Sequence, residues 1–529
     1  MSPAEYHFLP QEQPLFPGSP FTPHHTLKQG IAYAVTGLLI GSASTFTNAL
    51  VNVNVANLAG PLDLTLAQAS VLPALYVAMN ATANLSLMRA RQQFGIPEVT
   101  LTLLAVYALT AAVQLVVPGY AEAIATRIAC GLAAAGLVTL GIYYLIQLFP
   151  PQLRPLGLVL GISLPQLGPP LARLVPVDVL AVAGGRGLCL IELGVALAVA
   201  AAIIAVPLPK SQCSKAFEPL DFVVIGLTVP AFLLICIVLG EGRLLWWSNA
   251  PWLGWSLACA VPLLAAALMI ELRRARPLLQ LRWIGSTDIL RFAAVAMLVR
   301  LALAEQTYGA VGFLTSGGLN NDQLHGLFVI VALAMVLGAV TAALTMSERR
   351  LPYQVMAAAL IIALGAWLDS GATSITRPPQ LYASQALIAF GTTMFIGPTL
   401  VYGFLHMLKK GPDHLVSLIV LFSTTQNVGG LAGSAMLGSY QVIAADPQVA
   451  ARLQNGVVVL SNVLGDPVLR GAEGAGLLGQ ALATQANTLA FNDVFRLVAI
   501  LALATALYIA CLIVLYAARR RRQAMLVAA

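Results

Sequence analysis

Of the 21 acidic residues in the chain, only Glu192 and Glu305 fall inside long apolar runs; the others lie in polar connections or at the ends of such runs. A carboxyl surrounded by hydrocarbon is a group whose charge a single proton can switch, and intramembrane ionisable groups are functional by default. Glu305 is the deeper of the two. Counted from Leu290 at about 1.5 Å per helical residue it lies roughly 22 Å into its run, within a bilayer core about 30 Å thick. Arg300 lies roughly 15 Å in and is displaced from Glu305 by about 140° around the helix, so a direct pair requires both side chains to bend. Tyr308, three residues on, is expected on the Glu305 face. Glu192 sits a few residues inside the edge of its run, within reach of interfacial water. Arg127 is the third intramembrane charge, with structural snorkelling as its alternative role.

Other chemistries have no residues to carry them. His7, His24, His25, His325, His406 and His414 have no HExxH spacing, and the six cysteines have no CxxC spacing. No metal site, no cofactor and no enzyme centre is expected. The net charge of +7 comes from short basic clusters between apolar runs, which is a pattern of membrane topology and not a nucleic-acid face.

The elements that hold these residues follow from composition. The 529 residues are 59% hydrophobic and 9% charged, with a mean hydropathy of +0.85, too few charges for a soluble surface. At about 20 apolar residues per crossing the sequence gives about fourteen spans: 30–54, 66–87, 97–117, 120–147, 155–175, 187–208, 220–240, 252–271, 288–313, 324–346, 352–369, 380–407, 413–438 and 492–517. The runs are continuous and do not alternate, which selects helices over a barrel. Most of the 28 Lys and Arg fall on one side of this alternation, the cytoplasmic side by the positive-inside rule. Both termini then lie in the cytoplasm of a multi-pass protein of the inner membrane. Merging or splitting a pair of helices preserves the alternation, so counts of about twelve or sixteen fit it equally. The first 27 residues lack the features of a signal peptide and read as a cytoplasmic tail. The segment 441–491 reads as an outside loop, either a connector or a docking cap. Asn52, Asn54, Asn57, Asn80, Asn84, Gln147, Gln166 and Gln426 are either interhelical hydrogen-bond glue or cavity contacts.

Several segments carry a family resemblance. They are Val51-Asn52-Val53-Asn54-Val55-Ala56, Arg127-Ile128-Ala129-Cys130-Gly131, the run Gly161 to Ala172 containing Gly168-Pro169, and Gly185-Arg186-Gly187-Leu188 with Ile191-Glu192. Asp221-Phe222 with Gly226, Glu271 to Arg282, and Gln426-Asn427-Val428-Gly429-Gly430 with Gly433 follow in order. The chain resembles the fourteen-helix drug:proton antiporters of the major facilitator superfamily, the EmrB/QacA-like group, along nearly its whole length. It departs from that pattern at Cys130 for Gln, at Ala172-Arg173 for Gly-Gly, and at Thr47, where the family's first helix carries an acid. The loop Leu87 to Gly95 resembles the superfamily's gating loop without an acidic partner of its own.

The resemblance implies an all-α integral membrane fold of two six-helix bundles with a two-helix linker. The divisions are a cytoplasmic tail 1–29, a bundle 30–208, a linker 209–287, a bundle 288–517 and a basic tail 518–529. It implies export of amphipathic small molecules by proton antiport, with uptake by symport as the alternative. The proton-coupling set is Glu305, Arg127 and Glu192; the coupling network or substrate cavity is Arg300, Tyr308, Asn52 and Gln426; the antiporter-like segment is Gly161, Gly168 and Pro169. Expected partners are the solute, protons and membrane lipid, with a periplasmic adaptor and an outer-membrane channel as separate proteins.

Overall fold

Helix-forming runs account for the whole framework of the computed structural model, which describes residues 19–23, 25–209, 211, 213–408, 410–411, 414–445 and 472–528. Four helices come first: α1 (Leu27–Val53), α2 (Leu66–Phe94), α3 (Ile96–Val116) and α4 (Tyr120–Leu148). They are followed by α5 (Arg154–Ser163), α6 (Gly168–Arg173), α7 (Gly187–Ala205), α8 (Pro219–Glu241) and α9 (Pro251–Arg273). The remainder are α10 (Thr287–Ala302), α11 (Ala310–Ser316), α12 (His325–Thr345), α13 (Leu351–Asp369), α14 (Tyr382–Leu408), α15 (Leu415–Ala444) and α16 (Ala472–Ala528). Among the described residues, 12 of the helical segments are long and apolar enough to cross a membrane. Their outward faces carry exposed residues such as Leu109, Ile204, Trp255, Leu344 and Val514, a surface that hydrocarbon accepts and water does not. The chain is a multi-pass, all-α integral membrane protein.

Two of the expected spans are interrupted. Between α5 and α6 the chain makes a 3₁₀ turn, Leu164–Leu167. Pro169 has no N–H for the carbonyl of Pro165 four residues earlier; that carbonyl accepts instead from the Gly168 N–H and from the Thr45 hydroxyl of α1, the latter at 2.5 Å. Between α10 and α11 lies a π-helical turn, Glu305–Gly309. Hydropathy averages over such breaks, which is why 155–175 and 288–313 read as single spans.

Other boundaries also shift. Helix α15 continues to Ala444 and α16 begins at Ala472, so the outside segment expected over 441–491 is largely helical at its two ends; its middle, 446–471, lies outside the described residues. Helix α16 also runs on to Ala528 through what reads as a basic tail. The hydropathy ruler measures lipid compatibility, whereas helix propensity extends past it. Of the tail 1–29, residues 1–18 and 24 lie outside the described set, but the segment on either side of 24 is docked: Ser19 Oγ meets the Tyr143 hydroxyl at 2.9 Å, and His25 Nε2 meets Gln147 Oε1 at 2.7 Å.

Packing sorts the helices into two groups. Helices α1 to α7 pack on one another around Ile40, Leu104, Leu140 and Tyr144, while α10 to α16 surround Phe292, Val299, Ile362 and Phe395. The groups meet where α2 packs on α15 and where α5 packs on α12 and α14; α8 touches both, through α2 and α15. Short connections enforce this order. Helices α2 and α3 are separated by Gly95 alone, whose φ of 90° is a backbone conformation that favours glycine.

Candidate functional site

Between the two groups lies a cavity of about 560 Å³, within the size range of small-molecule sites. The first group lines it with Asn80, Asn84, Tyr143, Leu158 and Gln166, the second with Arg300, Leu400, Phe404, Phe422 and Gln426. One end reaches Arg91, Arg154, Leu408 and Leu415, at the helix ends where the basic loops cluster. The other stops midway, near Thr45, Pro169, Arg300 and Gln426.

Beyond that point the two groups are closed on each other. Arg173, at the end of α6, donates from Nη1 to Asn321 Oδ1 at 3.3 Å and lies over the Phe328 ring, 5.6 Å from its centroid. The Asn321 amide donates back to the carbonyls of Arg173 at 2.9 Å and Val175 at 3.4 Å, and Asp322 Oδ1 accepts from the Val177 N–H at 3.2 Å. These contacts tie the ends of α6 and α12 on the face opposite the basic loops.

The glycines of the Gly161 to Ala172 segment allow close helix approach. A Cβ on Gly161 would lie 2.8 Å from Ile142 Cα, and one on Gly168 would lie 2.7 Å from the Phe46 backbone nitrogen. These two glycines and Pro169 therefore shape the cavity wall, where Pro169 is a lining residue.

The intramembrane charges occupy two separate places. Arg127 on α4 and Glu192 on α7 form an ion pair, with side chains 2% and 0% exposed. Glu192 is thus fully enclosed and does not reach interfacial water; neighbouring helices cover an edge that a count along one helix leaves open. Arg127 Nη1 and Glu192 Oε2 have no hydrogen-bond partner among the described residues.

Glu305 has a different environment. Its Oε1 accepts from Gln385 Nε2 at 3.0 Å, and the same nitrogen donates to Asp369 Oδ2 at 2.7 Å. Both carboxyls are buried, neither makes an ion pair among the described residues, and Glu305 Oε2 and Asp369 Oδ1 are unpartnered. Asp369 is the final residue of α13; on the sequence it reads as a helix end, and only the packing of α14 over it makes it part of a buried pair.

Neither expected neighbour of Glu305 joins it. Arg300 donates from Nε to the Gln426 carbonyl at 2.8 Å, because the two lie on different sides of their helix. Tyr308 sits in the π-turn, and its hydroxyl accepts from Arg243 Nη1 at 3.0 Å and donates to Gln441 Oε1 at 3.3 Å. The wider π-turn abolishes the three-residue spacing that an α-helix would give. Asn52 is exposed and does not line the cavity.

No protein-family model matches the sequence, and no curated protein matches it. Solved structures with similar folds include the human organic anion transporter MFSD10 (TETRAN), with 14% identity, 90% of this chain and 100% of that chain covered, and a TM-score of 0.53. The major facilitator proton:xylose symporter XylE, in a complex with 6-bromo-6-deoxy-D-glucose, is 14% identical, with 90% of this chain and 95% of that chain covered and a TM-score of 0.53. The chain has the major facilitator fold.

On this major facilitator framework, the segment Leu87 to Gly95, which forms the last turns of α2, does have an acidic partner. Arg89 Nε lies 3.6 Å from Asp221 Oδ2 at the start of α8. Arg274 joins the same acid at 2.6 Å, along with Glu218 at 3.0 Å and Glu271 at 2.9 Å. The acid is 132 positions away in sequence from Arg89, so a search confined to the loop misses it. At the other end of α8, Ser70 of α2 donates to Glu241. Asp369, Gln385 and Asn321 are the residues that sequence reading passed over, and Asp221 was read only as part of a resemblance, without its partners. Each stands at a helix end or is a lone amide, and its significance comes from a partner on another helix.

Proposed function

We propose that this protein is a proton-coupled secondary transporter of small amphipathic solutes, working by alternating access. The observation that carries the reading is the cavity between the two helix groups, open toward the basic loops and shut beyond its midpoint by Arg173, Asn321 and Asp322. In this reading the interrupted runs α5–α6 and α10–α11 complete fourteen spans, arranged as bundles over 30–208 and 288–517 with α8 and α9 as a linker within 209–287. The basic loops face the cytoplasm, both termini lie there, and the cavity is open inward in a bacterial inner membrane.

Glu305, with Asp369 and Gln385 beside it, is the proton-handling group. The Arg127–Glu192 pair is the second candidate, in which proton binding to Glu192 would release the arginine. Of the two directions, uptake by symport is supported by the fold shared with a proton:xylose symporter. Export by antiport is the second reading, favoured by the Gly161, Gly168 and Pro169 segment; a periplasmic adaptor and outer-membrane channel belong to it alone.

Proteoliposomes loaded with a fluorescent pH indicator decide between these. With a panel of amphipathic solutes added outside, symport acidifies the lumen and antiport alkalinises it. A lumen pH that responds to no solute, in liposomes where solute uptake is measurable, overturns proton coupling. Repeated recovery of the chain alone from mild detergent, with full export in cells lacking an outer-membrane channel, removes the adaptor.

A further inference from the structure

The charges that line the cavity all have one sign. Arg91, Arg154 and Arg300 face it, and among the described residues no Asp or Glu does. An apolar cavity with a single sign of fixed charge concentrates the opposite ion, because low-dielectric walls focus the field. Arg91 and Arg154 stand at the open end, where Arg91 donates to the Tyr143 hydroxyl at 2.8 Å and Arg154 to the Thr22 carbonyl at 3.1 Å. Arg300 stands at the closed end.

Arg300 is held in place but not neutralised. Its Nε is fixed by the Gln426 carbonyl at 2.8 Å, and its terminal nitrogens have no partner among the described residues. The guanidinium lies along α15 in space left by two glycines: a Cβ on Gly429 would meet Arg300 Cγ at 3.2 Å, and one on Gly430 would meet Nη2 at 2.6 Å. A planar fork held by its Nε presents its remaining donors as a pair, the geometry that matches a carboxylate. Beside it, the Gln426 residue lines the same cavity, and its Nε2 and Oε1, packed against the wall, have no hydrogen-bond partner among the described residues. Unpaired amides are costly, so rotation of this side chain toward a polar guest beside Arg300 is favoured. The remaining wall, with Leu158, Ile162, Leu400, Phe404 and Phe422, suits an apolar or aromatic body.

We propose that the cavity recognises amphipathic organic anions of the aryl carboxylate class, with the carboxylate on Arg300 and the Gln426 amide. This rests on the reading of the cavity as the transport path, but the test can separate the two. Three probes with one ring system and different charge are titrated against the full chain in mild detergent: 1-naphthylacetate, 1-naphthylacetamide and 1-(1-naphthyl)ethylammonium. The acetate is expected to bind about tenfold or more tightly than the other two, and Arg300→Gln to remove that preference. Because Arg300 also packs on α15, Gln426→Leu serves as a second variant: it removes an unpaired amide, keeps the fold, and is expected to weaken the acetate alone. Arg300→Lys keeps the charge without the fork and is expected to recover part of the affinity.

Equal or tighter binding of the amide or the ammonium, binding of none of the three, or unchanged acetate affinity in both Arg300→Gln and Gln426→Leu overturns the proposal. Acetate binding without any transport in proteoliposomes supports the anion site and removes the transport reading. Transport of neutral solutes with no preference for the anion does the reverse.

Discussion

Arg127 and Glu192 bring opposite charges from α4 and α7 together at a point where neither side chain is more than 2% exposed. Such a pair gives the fold little net stability, since desolvation offsets attraction, but removing one member strands the other. Arg127→Leu or Glu192→Leu alone is expected to destabilise the protein by about 3–5 kcal/mol. The double variant Arg127→Leu/Glu192→Leu is expected to lose much less than the sum. Thermal unfolding of the four proteins in one detergent checks this, and additive losses would show that the two side chains act independently.

Glu305→Gln keeps the size of the side chain while holding it neutral. Solute-evoked proton movement is expected to fall to background while solute binding persists. Asp369→Asn is expected to reduce proton movement as well, because Gln385 joins the two carboxyls. If Glu305→Gln moves protons at the wild-type rate and Glu192→Gln does not, the role passes to Glu192. If both are normal, coupling does not run through a buried carboxyl.

The contacts around Asn321 close the face opposite the basic loops. Each hydrogen bond removed there changes the balance of the two states by about 1 kcal/mol, or roughly fivefold. Asn321→Ala is therefore expected to raise opening on that face severalfold. Leu324, buried behind the closure, provides the reporter: in a background without the native cysteines, Leu324→Cys should react faster with an impermeant maleimide once Asn321 is replaced. Unchanged labelling would mean that the closure is held elsewhere.

Asp221 is buried and stands between Arg89 and Arg274. Asp221→Asn leaves Arg274 with Glu218 and Glu271 but removes the tie to the end of α2. A loss of about 1–3 kcal/mol is expected, together with faster proteolysis between α7 and α8. Limited proteolysis of the intact protein, compared with Arg89→Gln, tests whether the two side chains act together.

The spans were legible in the sequence because lipid imposes one requirement on every crossing helix, and a count of apolar residues reads it directly. The breaks at Leu164–Leu167 and Glu305–Gly309 were not, although Pro165 and Pro169 announce the first. Nothing in the residues from Glu305 to Gly309 signals a π-turn, and with it the expected partnership of Glu305 with Tyr308 was lost. Glu305 and Arg127 were each legible as charges in apolar runs, and both side chains are buried. Their partners were not legible, because Gln385, Asp369 and Glu192 come from other helices and pairing across 65 to 80 positions leaves no local pattern. Gln426 was legible as a polar residue in an apolar run; that it lines a cavity required the other helix group.

Helix α8 is fastened to α2 at both ends, by Asp221 to Arg89 and by Glu241 to Ser70, while Arg243 and Trp247 just beyond it reach Tyr308 and Ser439. Covalent continuity is therefore not what holds this helix to its neighbours. A gene divided between α7 and α8, with both pieces made in one cell, should yield fragments that find each other in the membrane, the second piece bringing α8 as a ready-made clasp for the first.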